Sequence, residues 1–401
     1  MEKTSVWSVF LVFLRLGLTS FGGPTAHLGY FRDEFVARRH WLTERSYGDL
    51  IALCQFLPGP ASSQVGMALG FYRAGYAGAL AAWVGFTLPS AVVLILFALG
   101  LMHYGEWMPS GALQGLKVAA VAVVAQAVWG MARHLCPDTP RMSLMVLTAC
   151  FVLWWPAPSG QLIVISVAAL LGLFLFGPLT SQAEPVEVTA PAIVMRRRTG
   201  LFWLLLYGVF LLGLPALALW HPSQLMAVVD AFYRAGALVF GGGHVVLPLL
   251  QAEVVPTGWV ANDTFLAGYG ATQAMPGPLF TFAAFLGASM PTMPNVWVGG
   301  VVSLLAVFAP SFFLIVGALP FWEQLRRHRR IQAALLGVNA AVVGLLLAAL
   351  YQPVWTSAIY GVGDFGLALL ALVALRFWRL PPWLVVISCG VLGALMSMPP
   401  I

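Results

Sequence analysis

The pattern R-x-G-x-x-x-F-G-G stands at residues 15–23 and again at 234–242. A second pattern, Q-x-x-P-G-P, follows at 55–60 and again at 273–278. The offset is 219 residues for the first pair (15 to 234) and 218 for the second (58 to 276). A third echo, Pro89-Ser90 with Pro310-Ser311, keeps the same order. The chain is therefore two copies of one unit. Each copy sets an arginine, paired glycines and prolines inside apolar sequence, where all three are costly. Duplicated units with hydrophobic segments interrupted at matching positions are the signature of membrane transport folds.

Composition supports the membrane. Hydrophobic residues make up 60% of the 401 residues and charged residues only 8%, against roughly 25% charged in a soluble domain. A water-soluble fold with so few charges would aggregate. No solvated basic domain exists to bind nucleic acid. Cys54, Cys136, Cys150 and Cys389 are widely separated, with no C-x-x-C, and read as small buried hydrophobes rather than metal or redox groups. No acid and histidine set has metal-ligand spacing, and neither G-x-S-x-G nor a P-loop occurs. The sequence makes no case for an enzyme, a cofactor or a metal. Lys3 and the apolar run after it are not expected to form a cleaved leader, because Arg15 interrupts that run.

A bilayer span needs roughly 20 apolar residues. Candidates lie near 6–28, 47–70, 75–101, 113–132, 143–156, 160–177, 200–220, 224–249, 263–288, 296–320, 331–350, 362–377 and 382–398. The expected fold is an all-α polytopic membrane protein of about 13 transmembrane segments. Its units are an N-terminal repeat (1–177), a polar cytoplasmic linker (178–199), a joining helix (200–220) and a C-terminal repeat (221–401). Positive residues collect in cytoplasmic loops. With the N-terminus inside, Arg133, Arg141, Arg196 to Arg198 and the cluster Arg326, Arg327, Arg329 and Arg330 fall on that side. The loop at 31–46, with Arg32, Arg38, Arg39 and Arg45, disagrees. An odd number of spans between the copies predicts two repeats of opposite orientation, with a binding site between them near mid-bilayer.

The candidate site residues follow from what is expensive there. An arginine at mid-helix costs about 2.5–3.5 kcal/mol and normally faces a cavity or a partner. Arg234 has Asp230 four residues earlier on the same face, whereas Arg15 has no acid one turn away. The guanidinium fork suits oxyanions, so the pair Arg15 and Arg234 implies an anionic substrate reached through a shared aqueous pocket. Gly22 and Gly23, and Phe240, Gly241, Gly242 and Gly243, permit irregular backbone, which membranes tolerate only inside protein or beside water. Free N–H groups and a helix N-terminus beyond each break would favour an anion. Close helix packing explains the glycines nearly as well, but not their tie to an arginine. Pro58-Gly59-Pro60 and Pro276-Gly277-Pro278 must kink or divide their helices, with Gln55 and Gln273 one turn before. His244 is a candidate for a coupling proton.

These motifs, with Phe71-Tyr72-Arg73-Ala74-Gly75, resemble the chromate ion transporter family over essentially the whole chain, in its long two-domain form. The resemblance implies secondary active export of chromate across the bacterial inner membrane, driven by the membrane potential or a proton gradient and conferring resistance. Some members are linked with sulfate, a similar tetrahedral dianion. The family's arginine and glycine elements fall on Arg15, Gly22, Gly23, Arg234, Gly241 and Gly242, and its Pro-Gly-Pro elements on Pro58 to Pro60 and Pro276 to Pro278. The second copy departs at Gly243, where the first has Pro24, and lacks the arginines of 31–46. The expected partners are the oxyanion, the bilayer, a coupling proton and a second copy in a homodimer. A sulfate porter, a membrane-embedded reductase and a passive anion channel remain as alternatives.

Overall fold

A computed structural model describes residues 5–104, 109–177, 196–220, 223–322 and 328–397. The greater part of the polar linker, 178–195, and Arg326 and Arg327 lie outside the described residues. No strand occurs among those described. The first copy runs α1 (Val6–Thr19), α2 (Gly23–Arg32), α3 (Glu44–Phe56), α4 (Ala61–Tyr104), α5 (Ser110–Leu135), α6 (Thr139–Trp154) and α7 (Pro158–Leu175). After the joining helix α8 (Arg197–Trp220) come α9 (Gln224–Ala237), α10 (Val246–Val254), α11 (Asn262–Gln273), α12 (Phe282–Ala288), α13 (Val296–Ala318), α14 (Arg329–Ala349), α15 (Val362–Arg376) and α16 (Pro382–Met396).

Local chemistry fixes where these helices begin. Ser5, Thr43, Ser223 and Asn295 are N-caps whose side-chain oxygens accept from the backbone N–H three residues on. Asp138 caps α6 in the same way and also pairs with Arg141. That hydrogen bond holds the Asp138 carboxyl below its ordinary range.

Several expected spans are divided. The stretches 6–28, 47–70, 224–249 and 263–288 are each two helical pieces separated at 20–22, 57–60, 238–242 and 274–278, where glycine and Pro-Gly-Pro remove helical conformation or donors. The 44 residues of α4 are two segments, in keeping with the separate expected spans 47–70 and 75–101. Ala74 and Gly75 leave helical geometry, Gly75 at φ +63°, and a Cβ on Gly70 would collide with the carbonyl of Gly78. Residues eight apart meet only if the helix folds back. The Phe71-Tyr72-Arg73-Ala74-Gly75 stretch is thus the turn of a hairpin. In the second copy α12 and α13 make the same hairpin, with Gly287 against Gly299.

Equivalent helices make equivalent contacts. In one copy α1 packs on α4, where a Cβ on Gly17 would lie 2.8 Å from the Gly85 carbonyl oxygen; in the other, α9 packs on α13 with Gly236 against Val307. The late helices exchange: α5 packs on α15 and α16, while α14 packs on α6 and α7. Each copy thereby closes its neighbour, through small residues that let backbones approach. This reciprocal exchange is the pseudo-two-fold arrangement of a duplicated membrane fold.

Among the described residues, five helical runs are long and apolar enough to cross a bilayer: Ala61–Tyr104, Gly111–Leu135, Arg197–Trp220, Val296–Phe321 and Arg329–Trp355. Large apolar side chains also cover the outside, with Leu219 at 82% and Phe174 at 80% exposure. Water would not support such a surface, and lipid does. The cysteines are free; Cys150 is exposed rather than buried.

Candidate functional site

The four helix breaks meet at the seam between the copies. Gly59 N–H donates to the Val239 carbonyl at 2.6 Å, and Gly277 N–H donates to the Ser20 carbonyl at 2.9 Å. Val239 and Ser20 are equivalent positions in the two glycine motifs, and Gly59 and Gly277 in the two Pro-Gly-Pro motifs. Each Pro-Gly-Pro turn is therefore tied to the glycine break of the other copy. Gly59 and Gly277 have φ of +122° and +92°, a region that glycine alone enters cheaply.

The Pro-Ser echo arrives at the same place. A Cβ on Gly277 would lie 3.0 Å from Ser90 Oγ and from the Phe86 carbonyl oxygen. A Cβ on Gly59 would strike Ser311 Oγ and lie 2.7 Å from Gln64 Nε2. On the pseudo-two-fold axis Pro24 faces Gly243: its ring carbon sits 3.1 Å from where a Cβ on residue 243 would be. The departure at Gly243 thus makes room for Pro24.

This junction holds buried polar groups. Gln64 Nε2 donates to the Pro58 carbonyl at 2.7 Å, and His27 Nδ1 lies 3.4 Å from Ser62 Oγ. Ser20 Oγ, Ser63 Oγ, Gln64 Oε1, His27 Nε2 and Ser311 Oγ are buried without a hydrogen-bond partner among the described residues. Unmet buried polar atoms cost about 1–3 kcal/mol each, so their gathering marks a place where something else supplies the partner. The helical pieces after each break, beginning at Gly23, Ala61, Gly243 and Leu279, start here. A helix N-terminus leaves N–H groups free and carries positive partial charge. The hydroxyls of Ser20, Ser63 and Ser311 and the N–H groups of the helix starts are neutral donors to an anion without a fixed counter-charge.

The predicted site residues divide. Gly22, Gly23, Pro58, Gly59, Pro60, Gly241, Gly242, Gly243, Pro276, Gly277 and Pro278 belong to the four breaks and the helix starts beside them. Phe240 and Gln273 are half-buried at the same breaks, and Gln273 Nε2 is an unpartnered buried atom. Gln55 is exposed and is not among them. His244 is bonded through Nδ1 to the Tyr269 hydroxyl at 3.0 Å. Sequence reading passed over Ser20, Ser63, Gln64, Ser90 and Ser311, although the Pro-Ser echo was the signal for two of them.

The arginines do not share a pocket. Arg15 is exposed, on the helical stripe that carries Trp7, Leu11 and Leu18. No ion pair to it occurs among the described residues. Arg234 is held by two carboxylates, Asp230 at 3.3 Å and Glu253 at 2.9 Å. It lines a cavity of about 200 Å³ with Glu253, Ser159 and Gln161. The expectation of paired guanidinium groups around one anion is corrected accordingly: one is already neutralised and the other faces outward.

A separate cavity of about 520 Å³ is lined by Lys117, Asp263, Gln114 and Tyr360. Lys117, buried in α5, bonds Asp263 at 3.1 Å and lies 5.4 Å from the Tyr360 ring centre. No group of three or more metal-ligating side chains occurs among the described residues.

The chromate transporter family profile matches residues 7–173 and again 226–394. A chromate transport protein of Pseudomonas aeruginosa is 28% identical over 352 residues, covering 84% of this chain and 78% of that protein. A chromate transport protein of Cupriavidus metallidurans is 26% identical over 400 residues, covering 96% and 91%. An uncharacterized transporter of Methanocaldococcus jannaschii is 27% identical over 354 residues, covering 87% and 85%. No solved structure matches. With the family profile matched twice, once on each copy of the repeated unit, this all-α membrane protein belongs to the chromate transporter family.

Proposed function

We propose that the chain is a secondary transporter that exports chromate across a bacterial inner membrane and so confers resistance, and that the junction of the four breaks is its anion site. The observation that carries this reading is the reciprocal pair of hydrogen bonds, Gly59 to Val239 and Gly277 to Ser20. They tie the broken ends of each copy to the other, so displacing one copy against the other remakes the site. That is the requirement of alternating access around a central site in a duplicated fold. The N–H groups of the helix starts, with the hydroxyls of Ser20, Ser63 and Ser311, would receive the dianion. Neutral donors suit a transporter, which must release what it binds. The glycines and prolines of the breaks would position donors and bend between access states.

Labelled chromate flux into inside-out vesicles tests this. Hydrogen bonds to charged groups are worth about 1.5–3 kcal/mol, so Ser311→Ala and Ser63→Ala should each raise the half-saturating chromate concentration roughly ten- to hundredfold. Unchanged half-saturation in both variants would remove the junction from binding. Competition by unlabelled sulfate decides between chromate and a broader tetrahedral oxyanion specificity. Collapse of uphill flux by an uncoupler separates a transporter from a passive channel.

A further inference from the structure

We infer that Glu253 is a proton-binding site coupled to the anion, acting through the cluster Asp230–Arg234–Glu253 that bridges the break in the second copy. This inference rests on the transport reading above and adds a residue for the proton.

Arg234 contacts Glu253 at 2.9 Å and Asp230 at 3.3 Å, and the three side chains are 27%, 15% and 12% exposed respectively. With both carboxylates ionised the cluster carries one net negative charge inside an apolar bundle. Uncompensated buried charge is expensive, and one proton removes it. Among the described residues, the helices around the cluster add no further carboxylic acid. Glu253 is the single titratable group of α10, while α7 and α13 contribute none. The charged side chains of α14 are Arg329 and Arg330 in its first turn. On α8, Arg197 and Arg198 stand at the start of the helix, and Tyr207 donates to the Ala237 carbonyl. Tyr233 of α9 donates to the Tyr207 carbonyl, and His244 is bonded to Tyr269.

Glu253 rather than Asp230 is the proton acceptor because it lines the 200 Å³ cavity with Ser159 and Gln161. That volume is ample for water, which needs polar partners to enter. Placement supplies the coupling. Asp230 and Arg234 sit on α9 before the break, and Glu253 on α10 after it. Between them lies Val239, whose carbonyl accepts from Gly59. The ion pair is thus a clamp across the break that forms half of the anion junction. A proton on Glu253 weakens the clamp and cancels a negative charge that would repel an incoming anion. By linkage, anion binding at the junction then favours the proton, and the proton favours the anion. The dianion and its proton together carry one negative charge, so an inside-negative membrane potential drives the pair outward.

The test uses the full chain in proteoliposomes, with chromate at alkaline pH as probe and the membrane potential clamped at zero. At one proton per anion, a tenfold proton gradient, acid outside, supports roughly tenfold chromate accumulation. Glu253→Gln should retain chromate exchange at equilibrium within about threefold and lose the accumulation entirely. Gradient-driven accumulation by Glu253→Gln at the unmodified level would overturn the assignment. Infrared titration of the unmodified protein guards against a variant that does not fold. A buried carboxylic acid band should appear on acidification, and no such band would equally overturn the proposal. Failure of the unmodified protein to exchange chromate at all would instead sink the transport reading, while the infrared titration still reports on Glu253.

Discussion

Arg15 and Arg234 occupy the same position of the same motif, yet among the described residues one has no ion pair and faces outward, and the other is clamped by two acids. The local sequences explain the difference. At the motif's offset of 219 residues, Asp230 corresponds to Leu11, so the first copy lacks the acid one turn before its arginine. Glu253 corresponds to Glu34 at the same offset, so that acid is present in both. In the first copy, however, Glu34 bonds Arg39 at 2.6 Å and Arg38 at 3.2 Å. The second copy has Thr257 and Gly258 at those positions and leaves Glu253 to Arg234. Duplication preserved the backbone breaks, where geometry is demanding. It let the ion pairs diverge, because a single neighbouring substitution redirects a carboxylate. The lesson is that the symmetric part of this molecule is backbone and the asymmetric part is charge.

The largest test of that contrast is stability. Arg234→Ala strands two carboxylates and should cost roughly 3–5 kcal/mol, whereas Arg15→Ala breaks no pair and should cost under about 1 kcal/mol. Thermal unfolding of the detergent-purified protein measures both, and equal losses would erase the distinction. Adding Asp230→Asn and Glu253→Gln to Arg234→Met should recover most of the loss.

The symmetric junction makes the next prediction. Gly59→Ala and Gly277→Ala each force a side chain into left-handed backbone, at about 1–3 kcal/mol, and each meets a serine hydroxyl from the opposite hairpin. Chromate flux should fall at least tenfold in both, to a similar degree. A variant silent in one copy alone would show that the junction is not used symmetrically.

A smaller effect is expected where Pro24 meets Gly243. Gly243→Ala should cost about 1 kcal/mol by pressing on the proline ring, and Pro24→Gly should relieve it. A double-mutant cycle in thermal unfolding should return a coupling of roughly 0.5–1 kcal/mol, and additive changes would disprove the contact. The smallest effect belongs to Arg38→Ala with Arg39→Ala. These partly exposed pairs should be worth under about 1 kcal/mol and should fade in high salt. A loss as large as that of Arg234→Ala would mean that Glu34 is the more important acid.

Much of the architecture was legible in the linear chain. The spacing of Gly22-Gly23 and Pro58-Gly59-Pro60, and of their echoes, located all four breaks, because Pro-Gly-Pro resists helix continuation and the paired glycines permit irregular backbone. The Arg234–Asp230 pair was legible too, since four residues is one turn. Glu253 was not, because it reaches Arg234 only after the chain has passed the break. The turn at Ala74-Gly75 was legible, since the candidate spans 47–70 and 75–101 end and begin on either side of it.

The order of apolar segments, their duplication and the places where helix must fail are properties of local sequence, since hydropathy and backbone freedom act over a few residues. Which break joins which, that Ser90 and Ser311 reach the seam, and that one arginine is neutralised while its twin is not, depend on groups far apart in the chain. Such contacts exist only once the two copies are packed together, and tertiary structure alone decides them.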